Sequence, residues 1–277
     1  MERQILHVFR NTPLGREMLL HTSYFCRQTG AIPVIYLPEH TKFLMYFEND
    51  VVQVDLDPSY LLYPETARAH AEDILASMGV SGGKFFEPKH FTASNLPDIP
   101  VSFEFMCCPR SISDLSSKIG LGYIGSRVRR IVKSAGFPVL IPSLAFKPFK
   151  SIVVMFGGSN NAYQALRAGL RLKKDSGLPL DMFTQAGNSM SKDDYLRGLE
   201  ERGFGSAMKE DVRRWLFFDN GDISANLYEI PHDALIVIGS HGHGLVKDVM
   251  FGSTMEKVQS WMTNSMLIVG PQYRPQF

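Results

Sequence analysis

Cysteine is scarce in this 277-residue sequence, which carries only Cys26, Cys107 and Cys108. Three cysteines, two of them adjacent, cannot make a disulfide framework, so a reducing, cytoplasmic location is expected. Cys107 and Cys108 fall short even of C-x-C spacing, and buried packing is expected of them in place of zinc ligation. Long apolar runs are lacking too. None approaches the roughly 18 residues of a membrane span, so no membrane partner is expected. The opening Met1-Glu2-Arg3-Gln4-Ile5 has neither the apolar core nor the cleavage site of a signal peptide. Finally, neither sign of charge dominates. With 29 Lys and Arg against 28 Asp and Glu the formal net charge is +1, which gives no electrostatic case for nucleic acid or an acidic membrane surface. What is present is an ordinary globular composition, 44% hydrophobic and 21% charged, in a chain long enough for two domains of about 140 residues.

The organisation reads as a repeat. Ser151-Ile-Val-Val-Met-Phe156 is a continuous apolar run, the pattern of a buried parallel strand. Gly157-Gly-Ser-Asn160 breaks it, and Ala162, Ala165, Leu166, Gly169 and Leu170 then mark one face of a helix. Lys173 and Lys174 favour the last turn, Gly177 ends it, and Leu178 to Gln185 is the next strand. The start of the chain has the same plan. Ile5 to Phe9 is a strand, Asn11-Thr-Pro13 a break, Leu14, Met18, Leu19 and Phe25 a helix face, Gly30 its end and Ala31 to Leu37 a strand. Placing Ile5 on Ile152 puts Gly30 on Gly177 without a gap.

The distal ends agree at a shorter offset. Gly125-Ser126 precedes Val128, Ile131, Val132 and Ala135, then Phe137 to Ile141; Gly252-Ser253 precedes Met255, Val258 and Met262, then Met266 to Val269. The first copy therefore holds extra residues in its middle. Between these ends the pattern predicts a helix over Pro64 to Met78, a strand over Val101 to Met106, a helix over Lys192 to Arg202, a strand over Arg214 to Phe218, a short helix over Ile223 to Ile230 and a strand over Ala234 to Ile238. Pro142 and Pro148 bracket a linker at 143–150, giving domains 1–145 and 146–277. Alternating strands and helices predict an α/β class of open parallel sheets with helices on both faces, and ligands beyond the carboxyl ends of the strands.

At one such end lies Leu235-Ile-Val-Ile-Gly-Ser-His-Gly-His-Gly, running on to Val249-Met-Phe-Gly-Ser-Thr254. Glycines bring backbone N–H groups close to an anion, and a helix opening at Gly252 offers unpaired donors and the positive end of its dipole. This G-x-x-G-x9-G-(S/T) pattern after an apolar strand resembles the nucleotide loop of the universal stress protein (UspA-like) family. Gly221-Asp222-Ile223 is similar to that family's Gly-Asp-Pro helix entry. The resemblance covers most of the second copy and the two ends of the first. It implies tandem five-stranded adenine nucleotide alpha hydrolase-like domains arranged as a pseudo-dimer, with Phe137 to Ile141 pairing Met266 to Val269. It also implies ATP, ADP or AMP as ligand, with Mg²⁺ only as its counter-ion. The implied contacts are Gly239, Ser240, His241, Gly242, Gly252, Ser253 and Thr254, with Gly158, Thr184 and Gln185 towards the adenine.

Two departures follow from the same alignment. The aspartate usual at the end of the first strand falls on Gly157, and the first copy has Arg10 there. The first copy also has Ile112-Ser-Asp-Leu115 in place of the first two loop glycines, so it is expected to bind no nucleotide. The expected function is a stress-response regulator with no assigned catalytic residue and at most slow ATP hydrolysis. The alternative is a nucleotide-free protein-interaction module of the same fold, and an enzyme of the wider superfamily is the least favoured reading. Protein partners and further homodimerisation are both compatible with the sequence.

Other signals lead nowhere by comparison. Gly120-Leu-Gly-Tyr-Ile-Gly125 matches G-x-G-x-x-G but lacks the preceding strand and the later acidic residue of a dinucleotide site. His232, His241 and His243 lack a carboxylate or cysteine at ligand spacing, so no metal site is assigned. Ser240, His241 and Asp248 are not set in a nucleophile elbow. Lys209 to Arg214 reads as an exposed charged face, and Trp215 and Trp261 as core.

Overall fold

The structure is a computed structural model and describes residues 2–92, 95–113, 124–186, 190–240, 258 and 261–275. The first half opens with β1 (Gln4–Val8), α1 (Pro13–Thr29) and β2 (Ile32–Tyr36). Thr12 caps α1 by accepting from the Gly15 N–H, Pro13 supplies a first residue whose missing N–H is not needed there, and Gly30 closes it in the left-handed conformation. The second half repeats this local chemistry in β10 (Ser151–Met155), α4 (Asn160–Ser176) and β11 (Leu180–Gln185). Ser159 caps α4 by accepting from the Ala162 N–H, and Gly177 ends it at φ 70°.

The middle of the first half holds what periodicity did not reveal. A hairpin of β3 (Lys42–Phe47) and β4 (Asp50–Asp55), β6 (Phe91–Thr92) and β7 (Leu96–Ile99) make a separate four-stranded sheet, ordered β4-β3-β7-β6. Asp50, at the hairpin's turn, is gripped by Arg130 Nε and Nη2 at 3.1 and 2.8 Å and by Ser134 Oγ at 2.8 Å. These hydrogen bonds, led by those from Arg130, hold its carboxyl down at about 2. Arg130 and Ser134 belong to α3 (Ser126–Ser134), so the hairpin is fastened to that helix. A short 3-10 helix (Pro58–Leu61), α2 (Pro64–Ser77), β5 (Lys84–Phe86), β8 (Phe105–Cys107) and β9 (Val139–Ile141) complete the half. The strand expected over Val101 to Met106 begins later, because Val101 to Phe103 serve as the lead-in from the small sheet.

In the second half α5 (Lys192–Glu201), α6 (Gly205–Glu210), β12 (Val212–Phe218), α7 (Ile223–Leu227), β13 (Ala234–Gly239) and β14 (Met266–Val269) follow. The main sheet has ten strands among the described residues, ordered β12-β11-β10-β13-β14-β9-β8-β1-β2-β5. Read outward from the β14–β9 seam, the two halves carry the same order of corresponding strands. The seam is antiparallel, with Met266 opposite Ile141, Leu267 opposite Leu140 and Ile268 opposite Val139; the other pairs in the main sheet are parallel. The expected pairing of these two segments is therefore present, and it fuses the two five-stranded units into one open sheet.

Burial on both faces explains the unbroken apolar runs. Every residue of β10 and β14 is buried. One core cluster joins Leu6, Val139, Val153, Ile236 and Ile268, and another joins Ile5, Leu140, Ile152, Leu235 and Leu267. Alternate residues thus feed opposite faces, and each core crosses the seam. Residues 143–149 are pinned to α1. The Phe146 N–H donates to Glu17 Oε2 at 2.8 Å, and Tyr24 donates its hydroxyl hydrogen to the Phe149 carbonyl at 2.7 Å.

All three cysteines are buried and free, as expected. Burial raises their thiols, Cys107 to about 12, so none is a ready nucleophile. Trp261 departs from its sequence reading: its side chain is exposed. No helix among the described residues is long and apolar enough to cross a membrane.

His7 is fully buried in β1, with Nδ1 2.8 Å from Thr22 Oγ1. Burial pushes its pKa down to about 3. The unfolded chain therefore takes up this proton near pH 6.5, well before the folded one, and stability falls as pH drops from there. Urea titrations at pH 7.5 and pH 5 should show this loss. His7→Gln should reduce the pH slope by up to about 1.4 kcal/mol per pH unit, one proton's worth.

Candidate functional site

The carboxyl ends of β10, β11 and β13 form one edge of the second half. β10 ends at Met155, Phe156 and Gly157 follow, and Gly158 turns the chain at φ 74° into the Ser159 cap. That left-handed turn suits glycine, and it starts α4 directly beyond the strand end. A Cβ built on Gly157 meets no heavy atom of the described residues within 4 Å, so among them the backbone here faces open space. At Gly239, the last residue of β13, a Cβ would lie 2.8 Å from the Asn161 carbonyl oxygen. Only glycine lets α4 cross this close to the strand.

Asn161 is the centre of this corner and was not singled out in the sequence. It is buried, and its Nδ2 donates to the Gly270 carbonyl at 3.1 Å. Ser240 is buried beside it, its Oγ 3.4 Å from Asn161 Oδ1 and its N–H bonded to the Val269 carbonyl at 2.9 Å. The first turn of α4 is thereby tied to the ends of β13 and β14. The only sequence sign of this role was the position of Asn161 one turn past the glycine break.

Thr184 and Gln185 lie at the end of β11, on the same edge. The Thr184 hydroxyl donates to the Phe156 carbonyl at 2.8 Å and accepts from Trp215 Nε1 at 2.9 Å. It locks β11 to β10 and orients the indole. Gln185 Oε1 accepts from Asn226 Nδ2 at 2.7 Å, which brings α7 to this edge. Gly221 enters that turn at φ 93°, and Asp222 stands at the N-cap of α7 as the motif implied. The structure thus gathers Gly158, Thr184, Gln185, Gly239 and Ser240 along one edge. His241, Gly242, Gly252, Ser253 and Thr254 lie outside the described residues. The groups along this edge are backbone amides, side-chain amides and hydroxyls, chemistry that can hold and orient a ligand by hydrogen bonding.

The matching edge of the first half is built differently. Arg10 stands where the second half has Gly157, and only 7% of it is exposed. Its guanidinium lies 5.3 Å from the Tyr60 ring centroid and Nη1 lies 3.4 Å from Ser59 Oγ. A long side chain fills the corner that glycine leaves open in the other half.

No protein-family model matches the chain. Among curated proteins it is 23% identical over 199 residues to universal stress protein Slr1230 of Synechocystis. That match covers 69% of this chain and 66% of the relative, just under two thirds of its length. Among solved structures it is similar to a universal stress protein from Archaeoglobus fulgidus, with TM-score 0.62 and 16% identity over 96% of this chain and 98% of that one. A universal stress protein structure from Pseudomonas aeruginosa, described there as putative, gives TM-score 0.59 and 11% identity over 98% and 94% of the two chains. At such identities the solved structures speak for the fold, an open, mostly parallel α/β sheet with helices on its faces. The curated match and the solved structures thus agree in what the chain is similar to, universal stress proteins of the UspA-like type.

The close approach of Asn161 gives a paired test. Gly239→Ala should lower the urea midpoint, costing about 1–3 kcal/mol as overpacking does. Gly157→Ala, with open space for its methyl, should leave the midpoint nearly unchanged.

Proposed function

We propose that the chain is a cytoplasmic stress-response regulator that binds one adenine nucleotide, ATP, ADP or AMP, at the carboxyl edge of its second half. The observation that carries this reading is the asymmetry between the two edges. The second half keeps an open glycine corner at Gly157 and Gly158 next to Gly239 and Ser240, whereas Arg10 fills the equivalent corner of the first. In this reading residues 1–145 and 146–277 are two copies of one unit, a view supported by their shared strand order and cap chemistry. The loop residues Gly242, Gly252, Ser253 and Thr254, with His241 beside them, hold the phosphates; Mg²⁺ accompanies the nucleotide as counter-ion. Thr184 and Gln185 shape the adenine end, Thr184 chiefly by fixing Trp215 and β11. Binding, not turnover, is the output, and any ATP hydrolysis is slow.

A second reading, a nucleotide-free interaction module, is favoured by one feature: Gly157 replaces the carboxylate that the family resemblance leads one to expect. Calorimetric titration with Mg·ATP and with AMP separates the two. One site per chain, lost in Gly242→Val, is the expected result. No heat at millimolar ligand with a folded protein overturns it in favour of the interaction module. Because the site around Gly157 is open, Gly157→Asp should fold normally and tighten ATP binding about fivefold, the worth of one added polar contact near 1 kcal/mol.

A further inference from the structure

The outer edge of the second half carries a groove that meets the proposed nucleotide edge through Trp215, whose indole donates to Thr184. It lies between α5, α6 and the edge strand β12 and encloses about 320 Å³, within the range of small-molecule sites. Its apolar surface comes from Leu196, Leu199, Met208, Val212 and Trp215, of which only Leu199 is fully buried. Four cations line it: Lys192, Lys209, Arg213 and Arg214.

The cations are placed by a local irregularity. The β11–β12 register shifts between Leu180 and Asp181, so Arg214 pairs with Asp181 and Arg213 is the extra residue. Consecutive strand residues ordinarily point to opposite faces; here the bulge lets both reach one carboxylate. Arg213 Nε and Nη2 lie 2.8 and 2.7 Å from the two Asp181 oxygens, and Arg214 Nη2 lies 2.6 Å from Oδ2. Asp181 is fully buried, yet each arginine side chain is about half exposed, at 47% and 49%. Burial alone would raise the Asp181 carboxyl; the arginine hydrogen bonds outweigh it and hold the pKa below the usual value. One carboxylate therefore fixes two guanidinium groups and leaves a net positive charge beside the groove. Lys192 adds to it, its Nζ resting 5.4 Å from the Trp215 ring centroid. Glu200 is the acidic residue of the lining, two helical turns along α5 from Lys192.

We propose that this groove binds a small amphipathic carboxylate. The headgroup sits at the Lys192 and Arg214 end, away from Glu200, and the apolar body lies on Trp215, Leu196, Met208 and Val212. Charge complementarity selects an anion, and the half-exposed apolar floor selects a hydrocarbon or aromatic body over a compact inorganic ion.

Trp215 reports directly on occupancy. The chain has two tryptophans, so Trp261→Phe isolates its emission. In that background decanoate should give a saturable emission change below its micellar concentration, whereas decylamine should give none. Lys192→Gln, at an exposed helix start, should weaken decanoate binding about fivefold or more, and Leu196→Glu should abolish it with the circular dichroism spectrum retained. If Leu196→Glu fails to fold, the lysine variant and the amine control decide alone. An equal response to decylamine, no saturable response to decanoate, or unchanged affinity in the folded variants overturns the proposal. Nucleotide calorimetry reads a different edge, so either proposal can fail without the other.

Discussion

The antiparallel pairing of β9 with β14 is the contact on which the rest depends. Each strand would otherwise be the bare edge of a five-stranded sheet, with unpaired N–H and C=O groups and apolar side chains on both faces. Pairing satisfies the backbone and places Leu140 opposite Leu267 within one core, and Val139 opposite Ile268 within the other. A single chain thereby encloses an interface that two separate chains would have to find by diffusion. The linker follows from it, since residues 143–149 run from the seam along α1 and are held by Glu17 and Tyr24.

Within that frame the halves differ in what stands at the strand ends. The same strand, cap and helix can present either a glycine or a buried arginine at one position, because the carboxyl end of a parallel strand is not committed to core packing. Arg10 against Tyr60 closes one corner, while Gly157 leaves the other open. The first half also carries the small sheet, fastened by Arg130 and Ser134 to Asp50. Its extra residues are therefore structured material packed against α3.

Much of this was legible in the residues. Continuous apolar runs marked the buried strands, and Gly30 and Gly177 marked helix ends that only a left-handed residue closes well. The candidate site was partly legible: Gly158, Thr184, Gln185, Gly239 and Ser240 do share one edge. Asn161 and Asn226 were missed, because a polar residue inside a helix has no period that betrays a tertiary partner. The β3–β4 hairpin was missed because its strands alternate only partly, with burial on one side set by a sheet that sequence proximity does not announce. Lys209 to Arg214 was read as an exposed charged face, and Lys209, Glu210, Arg213 and Arg214 are exposed; Trp261 was read as core and is exposed, because burial is set by neighbours distant in the chain.

By itself the sequence determined most main-sheet strands and the longer helices, with their order, since hydrophobic period, caps and glycine ends are local properties of the chain. It also determined the plan common to both halves. Only the tertiary structure decided which groups face one another: that Asp181 holds two consecutive arginines through a bulge, that Asn161 crosses Gly239, and that Arg10 fills its corner. Those outcomes depend on register and crossing distance between segments far apart in the chain, and a shift of one residue reverses which face a side chain takes.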